Sequence, residues 1–163
     1  MDTVSPEPAQ TYLQLRDRIF QLEPGELGLS PSTAAPHVWG VLVETGYGVG
    51  TATLFSLADG TTSLYFSTGG GLLGRGDFAP IAEAARALVV QAENYLALMA
   101  SATKFPLPVV GQVKFFCLTY SGIFTAEATE VSLRSGNHPL SPLYMDAHKT
   151  LDQLRLSTEM KRR

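Results

Sequence analysis

The chain has 163 residues, 45% of them hydrophobic and 17% charged, and its 12 basic and 15 acidic side chains give a net charge of −3. That length buries the core of one domain without staples, and an acidic balance with no basic stripe argues against a nucleic-acid partner. The single cysteine excludes an internal disulfide, and no uninterrupted apolar run reaches membrane-spanning length, so a cytoplasmic protein is expected.

Residues 1–10, acidic and proline-bearing, read as a flexible arm without the apolar segment of a signal peptide. Residues 159–163 form a basic tail, which leaves 11–158 as a single domain. Tyr12, Leu15, Ile19 and Leu22 recur every three or four residues, marking an amphipathic helix that stops before Pro24-Gly25. A loop rich in Pro, Gly and Ser runs on to Pro36. His37 to Glu44 is apolar on both faces, which predicts a central strand. Thr45-Gly46-Tyr47-Gly48 is expected to turn the chain into a second strand, Val49 to Leu57. Asp59-Gly60 signals a tight type I′ hairpin, with positive φ at both central residues, into a third strand over 62–68.

Gly69 to Gly76 then holds five glycines in eight positions, between that strand and a helix start at Asp77-Phe78. Phe78, Ile81, Ala85, Leu88, Ala92, Tyr95 and Met99 fall at helical spacing and predict one long helix laid on the sheet, with Asp77 as its cap. Its alanines permit close approach to the sheet or to another copy of the helix. Lys104 to Pro108 breaks it. Val109 to Tyr120 and Ile123 to Leu133 predict a hairpin around Ser121-Gly122, followed by a loop to Leu140. Ser141-Pro142 opens a last helix that buries Leu143, Ala147, Leu151 and Leu154.

Helix, three-strand meander, helix, hairpin, helix is the pattern of an α+β two-layer sandwich, with helices packed on a largely antiparallel five-stranded sheet. Over residues 12–156 this element order resembles that of the profilin-like and roadblock-type small α/β sandwiches. The resemblance implies a dimerising scaffold or regulator rather than an enzyme.

The glycine stretch is the leading site candidate, because such a backbone can approach a ligand or partner closely. Gly69-Gly70-Gly71-Leu72-Leu73-Gly74 matches G-x-G-x-x-G after a strand. However, Arg75-Gly76 separates it from the helix, and no acidic residue closes a second strand about twenty positions on, so no dinucleotide fold follows. As a phosphate loop of the triphosphatases it lacks the lysine and the metal-holding hydroxyl. A weaker reading stands, in which Ser67, Thr68, Gly69, Gly70, Gly71, Gly74, Arg75 and Gly76 face a phosphate or carboxylate. Leu72 and Leu73, apolar in a loop, are expected to pack on the sheet end, a ligand or a partner subunit.

His37, His138 and His148 have no metal spacing, and His148 reads as a solvated helix residue. Cys117, inside an apolar strand, reads as a small buried hydrophobe. Tyr47, Tyr65, Tyr120 and Tyr144 read as sheet and interface aromatics. No catalytic constellation, cofactor or metal is indicated. The expectation is a non-enzymatic cytoplasmic homodimer acting as a scaffold or regulatory interaction module. The alternative is a binder, or an enzyme, using residues 67–77 for a phosphate- or carboxylate-bearing small molecule.

Overall fold

The structure, a computed structural model, describes residues 7–74 and 79–161, with side chains through 158. Arg75, Gly76, the expected cap Asp77 and Phe78 lie outside the described residues. So do positions 1–6 of the arm and the last two of the tail.

Helix α1 (Gln10–Gln21) precedes strands β1 (Val38–Tyr47), β2 (Gly50–Leu57), β3 (Thr62–Phe66) and β4 (Gly71–Gly74). Helix α2 (Ala79–Ala92) runs into a 3-10 turn (Glu93–Leu98). Strands β5 (Ala100–Ser101), β6 (Gln112–Thr119) and β7 (Gly122–Thr129) follow, then helices α3 (Glu130–Arg134) and α4 (Ser141–Lys161). The sheet is antiparallel and has seven strands rather than five, in the order β4-β3-β2-β1-β6-β7-β5.

One of the two extra strands comes from the glycine segment read as a loop, the other from the end of the segment read as the long helix. Gly71 to Gly74 pairs along β3, and Ala100 and Ser101 pair with Thr125 and Phe124. Glycine suits β4 because a Cβ on Gly71 would lie 2.2 Å from the Leu64 carbonyl oxygen. Gly46 likewise extends β1 instead of turning it, since only a residue without Cβ fits against the Val109 carbonyl. The β2–β3 connection is a three-residue loop, Ala58-Asp59-Gly60, in which only Gly60 has positive φ (94°), so it is not the type I′ turn expected. Past β7, Thr129 accepts a hydrogen bond from the Ser132 N–H and caps α3, which ends the strand four residues early.

Alternation along the strands sends side chains to two apolar faces, and each face carries helices, so the sheet is covered on both sides. On one, Val41, Val43, Leu54, Phe115 and Cys117 meet Ile81, Leu88 and Val89 of α2 and Leu143 and Leu154 of α4. On the other, Leu42, Phe55, Leu57 and Phe116 meet Ile19 and Phe20 of α1. A register irregularity between Val38 and Gly40 lets Trp39 join this second face. The long helix expected to run to Met99 tightens to 3-10 after Ala92. There the Glu93 carboxylate takes the His37 and Val38 N–H groups at the start of β1 (2.8 and 2.5 Å).

The α1 stripe holds a surprise. Tyr12, Arg16 and Ile19 are its buried residues, and Leu15 is half-buried. The Arg16 guanidinium grips the fully buried Glu44 of β1 through Nε to Oε2 (2.8 Å) and Nη2 to Oε1 (2.7 Å). Thr53 gives its hydroxyl proton to the same carboxylate (2.7 Å), so Tyr12 must donate to Thr53 (2.6 Å).

Burial pushes the Tyr12 phenol up to about 12, with Glu44 adding to it, and burial with Glu93 pushes the Cys117 thiol up to about 12. Burial and Glu130 also raise Tyr144. All three are acids whose folded pKa exceeds the unfolded one, so above about pH 9 the unfolded chain gives up protons first. Their contribution is complete below that point and is lost as pH climbs toward 12. Denaturant unfolding is therefore expected to show constant stability from these groups up to about pH 9 and a steady fall above it. Stability unchanged up to about pH 11 would mean that they ionise without cost where they sit.

Candidate functional site

Two strand rows build a concave surface under α4. Val43, Leu54 and Leu64 face one another across β1, β2 and β3, and so do Thr45, Ala52 and Phe66, all on the α4 side because they differ by two along each strand. On α4, Tyr144, Ala147, His148, Leu151, Asp152 and Arg155 lie at spacings of three and four and form one helical stripe. Between the rows and the stripe is a cavity of about 310 Å³. It exists because Thr45, Ala52 and Ala147 are small where larger side chains would close it.

The floor is apolar and buried; the polar groups stand at the side and rim. Tyr144 donates its hydroxyl to Glu130 Oε2 (2.6 Å), and Arg134 reaches the same oxygen at 3.5 Å. Asp152 and Arg155 pair at 2.6 Å. Tyr47, partly exposed at the mouth, has its phenol raised, chiefly by burial and then by Glu130. His148 is half-buried in the wall with its ring edge-on to Tyr144, centroids 4.5 Å apart. No described residue hydrogen-bonds its ring nitrogens. Burial, and then Arg134, lower its pKa below the ordinary imidazole value. It is not the solvated helix residue expected from sequence.

The glycine stretch is put to structural use. Gly69 (φ 107°) and Gly70 (φ 79°) make the β3–β4 turn, and Gly74 packs against Ile81 and Leu154. Ser67 is buried, its hydroxyl accepting the Thr51 N–H (2.7 Å), while Thr68 is exposed. Leu72 packs on the core and Leu73 is 49% exposed. A second concavity of about 420 Å³ lies between this hairpin and α1, lined by Thr11, Tyr12, Leu15, Tyr65 and residues of the turn and β4. Arg75 and Gly76, the charged end of the expected anion loop, are outside the described residues. The structure thus gathers 67–74 into a hairpin and does not bring them to the α4 cavity.

Sequence reading missed that cavity, although a signal was present. The α4 stripe alternates apolar residues with Tyr144, His148 and Asp152, which is polar for a face buried on a sheet. Among the described residues, no three His, Cys, Asp or Glu side chains gather as metal ligands, and no helix is long and apolar enough to cross a membrane. Cys117 is fully buried with a raised pKa, as a packing residue rather than a nucleophile would be. No protein-family model matches this chain, and neither does any curated protein or solved structure.

Proposed function

We propose that this chain is a small-molecule-binding domain whose ligand lies between α4 and the β1–β3 rows. One observation carries this reading: an apolar concavity has in its wall a half-buried imidazole whose nitrogens no described residue uses. Mostly apolar pockets with a few placed polar groups and perturbed titratable residues are the usual form of a ligand site. The reading departs from the glycine loop as the ligand-facing element.

A second reading, a cytoplasmic homodimeric interaction module, is favoured by β4, a sheet-edge strand that leaves Leu73 half-exposed beside the α1 groove. Native mass spectrometry of gently purified protein addresses both. A small mass retained in native spectra, lost on denaturation and absent from Ala52→Leu, is the expected result for ligand binding. Wild-type protein with no retained mass would count against it. A doubled mass that reverts to monomer in Leu73→Asp, with the fold retained by circular dichroism, would support the edge as an interface.

A further inference from the structure

The chemistry of the cavity narrows what it can hold, given that the ligand-binding reading above is right. Its floor, Val43, Leu54 and Leu64, carries no charge and is buried, so a ligand charge seated there would lose its hydration without compensation. The charges around the rim already answer one another. Asp152 pairs with Arg155 on α4, and Arg134 pairs with Glu130 on α3, which also holds the Tyr144 hydroxyl. Among the described residues that the sheet contributes to the lining, Tyr47 is the one titratable group, and its raised pKa keeps it a neutral phenol. His148 faces Tyr144, Glu130, Arg134, Asp152 and Arg155, with burial and Arg134 together favouring its uncharged form. Among the described residues the lining therefore carries no net charge at physiological pH, and it offers one imidazole whose nitrogens none of them uses. Its volume of about 310 Å³ sits at the small end for ligand pockets.

We infer that the cavity takes an uncharged, largely apolar or aromatic small molecule whose single hydroxyl or amide group hydrogen-bonds His148. Protonating His148 puts a charge in the wall against the apolar body of the ligand, so acidification releases a neutral ligand. An anionic ligand would behave in the opposite sense and bind more tightly as His148 becomes charged.

The test uses two probes with the same ring, 2-naphthol and 2-naphthoate, titrated into the full chain and followed by amide chemical shifts at about pH 7.5 and about pH 5.5. At the higher pH, 2-naphthol is expected to bind at least about tenfold more tightly than 2-naphthoate, shifting amides of Val43, Leu54 and Leu151. Its affinity falls on acidification in the wild type, and an affinity that stays constant while the His148 ring protonates overturns the inference. In His148→Gln, which keeps a hydrogen-bonding group but does not titrate, and in His148→Phe, the fall disappears. Naphthoate binding as tightly as naphthol, or either ring tightening on acidification, overturns the uncharged-ligand inference and leaves the cavity reading standing. If neither ring binds while a retained mass persists in native spectra, this inference falls alone. If neither binds and no mass is retained, both fall.

Discussion

Glu44→Ala and Arg16→Ala are each expected to cost about 3–5 kcal/mol, because either leaves its partner as an unpaired charge in the interior. Arg16 is 6% exposed and Glu44 0%, joined by two hydrogen bonds of 2.8 and 2.7 Å, so water cannot take over the lost contact. In a chain of this size that loss lowers the thermal midpoint by on the order of 10 °C. Arg16→Met combined with Glu44→Leu should recover most of it, since an apolar pair of similar volume carries no desolvation cost. Thr53 loses its carboxylate acceptor in that double variant, while its oxygen can still accept from Tyr12. Thermal unfolding of Arg16→Ala, Glu44→Ala and the two combined closes the cycle. Additive losses would show that the two charges are not coupled and that α1 is held by its apolar contacts alone.

Phe116→Ala is expected to cost a comparable 3–5 kcal/mol, and to do so locally. Phe116 is 1% exposed and stands edge-on to Phe20 (5.1 Å) and Phe105 (5.9 Å), whose rings stack on each other at 4.1 Å. Removing it takes away the apolar burial and two aromatic pairs, each worth about 0.5–1.5 kcal/mol beyond area. The Arg16 guanidinium lies 5.0 Å from the Phe20 ring and 5.9 Å from that of Phe116, so the ion pair and the aromatic group support each other. Hydrogen exchange should therefore accelerate most in α1. Phe115→Ala makes the control: this neighbouring residue points to the opposite face, where α2 and α4 pack, and its loss should spare the relative protection of α1. Equal exchange patterns in the two variants would mean that the layers do not open separately.

Much of this architecture is legible in the chain itself. The apolar run of β1, the spacing Ile81-Ala85-Leu88-Ala92 and a hairpin after β6 follow from period and turn chemistry, although β1 runs on to Tyr47 and the hairpin turns at Tyr120-Ser121 with Gly122 already in β7. Cys117 is legible too, as a buried packing residue. The glycine run misled because two needs look alike in sequence. Positive φ in a turn and close approach at a strand edge both call for glycine, as Gly70 and Gly71 show side by side. Arg16 was hidden because a helical stripe is read from apolar residues, and a buried arginine counts against it until its partner is known.

The sequence alone determined which residues can be inside, since alternation and helical spacing are properties of neighbours along one strand or helix. It also marked several of the turns, Asp59-Gly60 among them, though not their exact geometry. Only the tertiary structure decided what those inside residues meet. Arg16 and Glu44 lie 28 positions apart. The cavity needs three strands in register, Val43-Leu54-Leu64 and Thr45-Ala52-Phe66, crossed by an α4 stripe about a hundred residues further on. No local period records such a crossing, because the angle and register at which a helix lies on a sheet are set by packing of the whole core.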